Sequence, residues 1–269
     1  MLGFSVMLLG DNGAMPTRKL HWDGFYNARD LGGLPLATGG ETKYKAYARS
    51  ADLRFATPEG LDAAYRDGFR TVVDLRNGFE TRTVPRSPEE AEANSFRVPP
   101  VPEAELPEGM FGVRVPLDDT HHLEFWRRMH EEGRLGSPRY FGPVLQESSG
   151  RVVEVLRAIA AAPGGIIYHC AVGRDRTGLV TFALLSLAGV EPGAIAEDYA
   201  RTPAELVKFY ERLEFPDNSH RILENLEKTG HTLESAVLEQ AEGFDAWTTL
   251  RKAGLTDAEL ETLAGRLLG

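Results

Sequence analysis

The chain has 269 residues, of which 42% are hydrophobic and 26% charged, and these ordinary globular proportions exclude disordered, collagen-like and membrane-spanning proteins. Its 30 Lys and Arg against 40 Asp and Glu give a formal charge of −10, which argues against nucleic acid as a partner. A single cysteine, Cys170, excludes an internal disulfide, so we expect a cytoplasmic protein that uses this residue as a thiol.

Residues 1–20 are predicted to form a flexible tail before a single domain over residues 21–269. The apolar residues 1–10 have no basic residue before them and no small-residue cleavage site after them, so a secretory signal is not indicated. Met15 begins a more polar stretch and is an alternative start of the chain. We expect no stable membrane insertion and leave a non-classical export route open.

Strand patterns occur in three places. Two short apolar stretches within residues 34–49 flank Thr38-Gly39-Gly40 and predict a β-hairpin whose second strand covers residues 44–48. The hydrophobic residues 69–75 are typical of a buried strand, and residues 166–169, after two glycines, indicate another. Residues 82–112 are rich in Pro and Glu, which predicts irregular surface structure.

Helical periodicity dominates the second half of the chain. It predicts helices over residues 123–132, 140–148, 151–162 and 177–188, and over nearly all of the chain after Pro192. Strands that lead into helices, most directly at Cys170, predict an α/β fold with a central, mainly parallel sheet flanked by helices. The helical C-terminal part is expected to cover one side of this sheet.

Residues 166–178 combine an apolar strand, a polar loop and the start of a helix. At such a junction the backbone N–H groups and the positive end of the helix converge on one point, which suits a bound phosphate. Gly173 allows the tight turn that the loop needs. The predicted phosphate-binding residues are Ala171, Val172, Gly173, Arg174, Asp175 and Arg176.

Cys170 lies in this positive potential, which favours its thiolate, the nucleophilic form. Arg176 offers a planar guanidinium that can hold two phosphate oxygens during transfer. Thr177 is expected to place a hydroxyl beside the sulfur, where it would stabilise a departing thiolate. His169 has two interpretations, a strand residue bonded to a backbone carbonyl or a group that tunes the thiolate.

The string His-Cys-Ala-Val-Gly-Arg-Asp-Arg-Thr-Gly at residues 169–178 resembles the signature loop of cysteine-dependent protein tyrosine phosphatases. It is most similar to the loop of the atypical bacterial tyrosine phosphatases that resemble lipid phosphatases. Three further motifs of that family occur in family order: Asn-x-Arg-Asp-Leu-Gly-Gly at residues 27–33, Arg-Ser-x-x-Leu at 49–53, and Asp-Leu-Arg at 74–76 with a following Glu80. The resemblance implies a cysteine-dependent tyrosine phosphatase-like fold with a helical lid.

The resemblance also implies hydrolysis of phosphate monoesters through a phosphocysteine intermediate. Phosphotyrosyl proteins are the expected substrates, with phosphoserine, phosphothreonine and phosphoinositides as additions, and His169 is expected to orient and tune the thiolate. The chain departs from the family at Arg174, where the family has Lys. Because Arg is a planar fork and Lys a compact charge, we expect Arg174 at the rim of the cavity to contact a second phosphate differently.

The general acid has several candidates. Asp175 is either turned away and neutralised by Arg174, or it donates a proton to the leaving oxygen, because a carboxylate beside a phosphate needs some compensation. Asp118 and Asp119 lie where many tyrosine phosphatases hold a mobile acid loop, although they fit a solvated turn equally well. Asp74 ends a strand expected to be parallel to the cysteine strand, and its alternative role is a supporting salt bridge.

The remaining polar motif residues are predicted to form a buried network that braces the loop: Arg29, Asp30, Arg49, Arg76 and Glu80. His121, His122 and Trp126 are expected to pack within a helix, although the lids of this family are helical and lie in this region. No side chains have metal-ligand spacing, so we expect neither metal nor cofactor. The oligomeric state is not predicted.

Two other functions compete with the phosphatase. A rhodanese-like sulfurtransferase also carries a reactive cysteine at a strand end, but the Arg176-Thr177-Gly178 helix start and the lack of a tandem half argue against it. A catalytically inactive module that reads phosphate usually lacks the cysteine or the arginine, and both are present here.

Overall fold

The computed structural model describes residues 18–82, 87–88, 104–217 and 219–269. Residues 1–17 of the predicted tail, and residues 83–86 and 89–103 of the segment predicted to be irregular, lie outside the described residues. A five-stranded sheet with helices on both faces organises the described part. This confirms the predicted α/β fold with a central, mainly parallel sheet.

The sheet has the strand order β1-β2-β5-β3-β4. The strands are β1 (Arg29–Asp30), β2 (Tyr47–Ser50), β3 (Phe69–Asp74), β4 (Phe111–Arg114) and β5 (Gly165–His169). Only β1 is antiparallel to its neighbour, and the register places Ser50, Asp74 and His169 side by side. The carboxyl ends of β2, β3 and β5 therefore meet at one edge, directly before Cys170.

The prediction of a β-hairpin within residues 34–49 was wrong. The second hairpin strand runs over Tyr47–Ser50 and pairs with Arg29–Asp30, whereas the turn near residue 39 closes only a single bridge between Pro35 and Glu41. The reason is the Asp30 carboxylate, which accepts the backbone N–H groups of Gly32 and Lys45 at 2.8 Å each and draws the chain alongside β1.

Strand β4 begins in the segment predicted to be irregular. Its residues Phe111 and Val113 are 59% and 40% exposed, so the strand has no buried face that would produce an alternating pattern. The Phe111–Arg114 backbone is held as a strand by parallel pairing with β3.

Helices predicted from periodicity begin and end close to the expected residues: α2 (Leu123–Glu131), α3 (Phe141–Glu147), α4 (Gly150–Ala161) and α5 (Asp175–Leu187). The sequence prediction omitted α1 (Pro58–Arg66), which begins after Thr57, whose hydroxyl caps the Gly60 N–H. The chain after residue 192 is almost entirely helical, as predicted: α6 (Pro192–Ala200), α7 (Thr202–Leu213), α8 (Ser219–Lys228), α9 (Leu233–Ala241), α10 (Ala246–Ala253) and α11 (Asp257–Leu268).

The central strand β5 is buried on both faces, and its side chains alternate between two hydrophobic clusters. Ile167 packs with Trp22, Leu61 and other residues around α1, whereas Ile166 and Tyr168 pack with the helices of the opposite face. Helix α5 is buried along almost its whole length. The loop between β5 and α5 is therefore anchored at each end by a buried strand or helix.

No helix in the described ranges is long and apolar enough to span a bilayer.

Candidate active site

The loop of residues 170–174 joins the end of β5 to the first turn of α5, so it lies at the positive end of a helix. Cys170 begins the loop and is 3% exposed. Gly173 has φ +70, and a Cβ at this position would lie 2.4 Å from the Ser50 carbonyl oxygen. Only glycine fits there, because both the left-handed backbone and the close approach to β2 exclude a side chain.

Two buried side chains hold the carbonyl groups of the loop. Asn27 donates from Nδ2 to the carbonyl oxygens of Val172 and Gly173, at 3.0 Å each. Arg49 donates from Nη2 to the Gly173 carbonyl oxygen at 2.9 Å. We call Asn27 and Arg49 the carbonyl clamp. Because it turns these carbonyl dipoles toward itself, the loop presents its N–H groups on the other side, which is the arrangement an anion needs.

Asp198 of α6 anchors the carbonyl clamp. It is fully buried and accepts from Arg29 at 2.9 Å, from Arg49 at 2.7 Å and from Arg18. Arg29 in turn donates to Asn27 Oδ1 at 2.5 Å. Burial alone would raise the pKa of Asp198, but the three guanidinium groups hold it well below the usual range. The carboxylate is therefore permanently charged.

Asn27 and Asp198 have no role that follows from the sequence. Asn27 belongs to a matched motif, and Asp198 follows Glu197 in a helix, but neither residue has a local pattern that marks it as a partner of the loop. The predicted bracing role of Arg29 and Arg49 agrees with their contacts. Asp30 instead holds the turn after β1, away from the carbonyl clamp.

Arg176, in the first turn of α5, forms a two-point ion pair with Glu80. Its Nη1 and Nη2 atoms lie 2.7 and 2.8 Å from the two carboxylate oxygens, and Asp118 Oδ2 lies 3.6 Å from Nη1. Burial lowers the pKa of Arg176, but the Glu80 and Asp118 carboxylates raise it well above its ordinary value. The guanidinium thus stays charged and is held in one plane, as recognition of two phosphate oxygens requires.

Asp175 lies at the start of α5 with its two oxygens in different environments. Oδ2 is 3.4 Å from Arg174 Nε, whereas Oδ1 is buried and has no hydrogen-bond partner among the described residues. The first contact fits neutralisation by Arg174, and the second leaves one oxygen able to exchange a proton. The contact with Arg174 therefore supports neutralisation, and the unpartnered Oδ1 supports the role of proton donor.

The other acid candidates have different surroundings. Arg76 donates to both oxygens of Asp74, at 2.8 and 2.9 Å. Burial raises the pKa of Asp74, but His169 and Arg76 together lower it to about 2. This geometry favours a supporting role for Asp74.

Asp118 and Asp119 are adjacent but face different partners. Asp118 lies near Arg176, as described above, and so reaches the loop. Asp119 instead accepts the His121 N–H through Oδ1 at 3.0 Å, and its carbonyl oxygen accepts from Trp126 at 2.6 Å. Asp119 therefore stabilises its own turn at the start of α2, while Asp118 stays a candidate acid.

His169 and Thr177 flank the loop sequence. His169 is buried, and its Nδ1 lies 3.0 Å from the Cys170 carbonyl oxygen, which agrees with the strand-residue interpretation. Burial lowers the pKa of His169, and Asp74 only partly opposes this. Thr177 is fully buried, and its hydroxyl forms no hydrogen bond with the described residues, the sulfur included. Its predicted contribution to the departing thiolate stays a prediction.

Comparison with known proteins agrees with this geometry. A family model described as the tyrosine phosphatase family matches residues 20–269. The chain belongs to the tyrosine phosphatase family. It is 30% identical over 158 residues to a tyrosine-protein phosphatase of Nostoc commune, an alignment that covers 58% of this chain and 47% of the relative.

A second relative in the phosphatase family comes from Cupriavidus necator and is provisionally named a tyrosine-protein phosphatase. It is 28% identical over 194 residues, which cover 71% of this chain and 65% of the relative. The chain thus spans less than two thirds of the length of both relatives.

Arg174, the position at which the chain departs from the family loop, is not at an open rim. Its side chain is 11% exposed. Nη1 donates to the Ser219 hydroxyl at 3.3 Å, and Nε faces Asp175. Burial lowers the pKa of Arg174, but Asp175 raises it above its ordinary value. The start of α8 thus covers most of this side chain, and its predicted contact with a second phosphate stays a prediction.

The remaining loop residues have the following contacts. Ala171 accepts the Asp52 N–H at 3.0 Å and is half-buried, and Val172 packs with the aromatic residue Phe209 of α7. Within the described ranges, no group of three or more His, Cys, Asp or Glu side chains could hold a metal ion.

Proposed function

We propose that this protein hydrolyses phosphate monoesters, with phosphotyrosyl proteins as substrates, through a phosphocysteine intermediate. The observation that carries the proposal is the arrangement around the loop: Cys170 at its start, carbonyl groups held on the far side by Asn27 and Arg49, and Arg176 held flat by Glu80. Together these groups form a cradle for a trigonal phosphoryl group next to a nucleophile.

The proposed reaction has two steps. In the first, Cys170 Sγ attacks phosphorus, the ester P–O bond breaks, and Asp175 donates a proton to the leaving oxygen. In the second, a water oxygen attacks phosphorus, the P–S bond breaks with its electron pair returning to sulfur, and the water proton passes to Asp175. Arg176 and the loop amides bind the equatorial oxygens in both steps. Asp118 is the alternative proton donor, supported by its distance to Arg176.

Burial of the nucleophile supports an aryl substrate. Cys170 is 3% exposed, so the phosphorus must enter the molecule to meet it, and a phosphotyrosyl side chain carries its phosphate further from the backbone than phosphoserine does. Phosphoserine, phosphothreonine and phosphoinositides are proposed only as secondary substrates. Arg174, the cation expected to contact a second phosphate, is already engaged by Asp175 and Ser219.

We further propose a single phosphatase domain over residues 21–269, located in the cytoplasm. The last helix supports the domain proposal, because Tyr47 of β2 donates to the Leu263 carbonyl oxygen of α11 at 3.0 Å and both residues lie in one hydrophobic cluster. A reducing compartment suits a mechanism that depends on one free thiol.

Hydrolysis of p-nitrophenyl phosphate in EDTA, with Cys170→Ser measured beside the unmutated protein, tests the function. We expect metal-independent turnover that falls below about one part in a thousand in the variant, while phosphate binding persists because the amide cradle remains. Turnover above that level in Cys170→Ser would contradict the covalent mechanism. Thiocyanate formation from thiosulfate and cyanide would indicate a sulfurtransferase, and phosphate binding without any turnover a binding module.

A further inference from the structure

Two tyrosine hydroxyl groups beside the loop have no use in the proposed reaction so far. Tyr140 and Tyr199 are 4% and 2% exposed, and neither hydroxyl has a hydrogen-bond partner among the described residues. Buried hydroxyls nearly always have partners, and one without a partner is destabilising. Two in one place therefore point to a ligand that they bind during function.

Packing places the Tyr199 ring directly against the start of α5 and the Tyr140 ring against it through Phe141. A Cβ on Gly178 would lie 2.7 Å from Tyr199 Cε2 and 3.2 Å from Phe141 Cζ, so the absence of a side chain there admits the Tyr199 and Phe141 rings. The Phe141 ring is 5.1 Å from the Tyr140 ring and 5.8 Å from the Tyr199 ring. The two hydroxyls are thus held by the packing of their rings, without a hydrogen bond to any described residue.

The surroundings keep both hydroxyls protonated. Burial, followed by the negative charge of Asp175, raises the pKa of Tyr140 and of Tyr199 well above the usual value, and Cys170 contributes to both shifts. Gly178 follows Asp175 by three residues in α5, so the rings that pack at Gly178 lie within one helical turn of the candidate acid. As neutral phenols, each can both donate and accept one hydrogen bond.

Asp175 completes the set, because its Oδ1 is also buried and has no partner within the described ranges. We propose that Tyr140 and Tyr199 hold the water that hydrolyses the phosphocysteine, with Asp175 Oδ1 as its base. The proposal rests on the proposed function. One water hydrogen goes to Asp175 and the other to one phenol oxygen, while the second phenol donates to one lone pair of the water. The remaining lone pair is free to attack phosphorus, which matches the number of partners that a bound water usually has.

The step is balanced without any further reactant. Asp175 has lost its proton to the leaving group in the first step and takes one from the water in the second. The new bond joins the water oxygen to phosphorus, the P–S bond breaks, and Cys170 leaves as a thiolate with inorganic phosphate as the product. Tyr140 and Tyr199 exchange no proton, so they act as positioning residues.

Rapid-quench kinetics with p-nitrophenyl phosphate separate the two steps, because p-nitrophenolate leaves without an acid. The variants are Tyr140→Phe, Tyr199→Phe and the double variant. Tyr47→Phe is the matched control. It also removes a buried phenol, but that phenol already has a hydrogen-bond partner, the carbonyl oxygen of Leu263 in α11. In the double variant we expect phosphocysteine formation to stay within about twofold, hydrolysis to slow by roughly tenfold or more, and the intermediate to accumulate.

Stability provides an independent readout. Removing an unpaired hydroxyl should leave the melting temperature of the Tyr140 and Tyr199 variants unchanged or raise it, whereas Tyr47→Phe should lower it without changing the ratio of the two rates. If Tyr140 and Tyr199 had a purely structural role, their Phe variants would lower the melting temperature and leave the ratio of the two rates unchanged. If either Phe variant fails to fold, Asp175→Asn, which leaves both rings in place, should slow the same hydrolysis step.

Unchanged hydrolysis in the double variant would overturn the proposal, and so would an equal loss in both steps. Absence of any phosphocysteine in the unmutated protein would overturn the proposed function itself, and this assignment with it. The two failures are therefore distinguishable, because the first requires a measurable intermediate and the second shows none.

Discussion

Replacing Asn27 should open the loop while leaving every residue that contacts the phosphate in place. Asn27 is 2% exposed and has φ 51, a left-handed conformation that Asn tolerates better than most residues. Asn27→Gly removes both hydrogen bonds to the loop carbonyls and keeps the backbone free to adopt this conformation. Asn27→Ala removes the same bonds and adds backbone strain.

Asn27→Gly also removes the bond from Arg29 to Asn27 Oδ1, but Arg29 keeps its bonds to Asp198 and Thr202, so the expected magnitude follows from the two bonds to the loop. Each hydrogen bond contributes about 0.5–1.5 kcal/mol net, so the pair to Val172 and Gly173 is worth about 2 kcal/mol in favour of the phosphate-binding conformation. Arg49 still holds the Gly173 carbonyl oxygen. A loss of about 2 kcal/mol corresponds to a decrease in kcat/KM of roughly 30-fold. Asn27→Ala should unfold about 1 kcal/mol more easily than Asn27→Gly because of its left-handed backbone.

The assay measures kcat/KM on p-nitrophenyl phosphate together with the Kd for inorganic phosphate, the latter in proteins that also carry Cys170→Ser. Both quantities should worsen, since the amides that bind the ground-state phosphate are the ones that turn. Asn225→Ala, at an exposed position of α8, is the control and should change neither. An Asn27→Gly protein with kcat/KM within about twofold of the unmutated value would refute the role of the carbonyl clamp.

Substitutions of Asp175, Asp74, His169 and Arg174 test the roles given to these residues. Asp175→Asn should cost roughly 100-fold on an alkyl phosphate and less than about tenfold in kcat/KM on p-nitrophenyl phosphate, while equal losses would show positioning and favour Asp118. The pKa of Asp74 is about 2 in the folded protein against about 3.9 unfolded. Roughly 2 to 3 kcal/mol of stability should therefore disappear as the pH falls from about 4 through 2, and urea unfolding of Asp74→Asn should lack this dependence. Burial lowers the pKa of His169, so the unfolded state takes up its proton first and stability should already decline as the pH falls below about 6.5, which His169→Asn would abolish. Arg174→Ala should lower turnover of aryl and inositol phosphates by the same factor, because Asp175 and Ser219 engage the guanidinium, and a selective loss of tenfold or more on inositol lipids would show that it contacts a second phosphate.

The sequence alone determined the elements whose burial follows a local period. The hydrophobic residues of β3 and β5 lie between two layers of helices, so an uninterrupted apolar run is sufficient to identify them. Helices α2 to α5 show the apolar spacing of one buried side or, in α5, near-complete burial. The loop at Cys170 is also a local feature, because the residues proposed for catalysis, Cys170, Asp175 and Arg176, lie within seven consecutive positions.

Only the tertiary structure decided which distant polar groups meet. Arg29 and Asp198 are 169 positions apart, and Asn27 and Val172 are 145 apart. A polar residue that will be buried beside a partner has the same local appearance as one that will face water, since no periodicity records a single long-range hydrogen bond. The two-residue strand β1 and the exposed edge strand β4 escaped prediction for the same reason.

Arg174 shows the same limit at the site itself. Its place in the loop predicted a cation at the rim of the cavity, yet the guanidinium also contacts Ser219, 45 positions later, and is mostly buried. Tyr140 and Tyr199 likewise come from two separate segments of the chain, and Phe141 and Gly178 bring them together at the start of α5. Local sequence determines the chemistry that a loop can offer, whereas the packing of remote helices decides which of its groups stay open to substrate, because burial is a property of the whole assembled core.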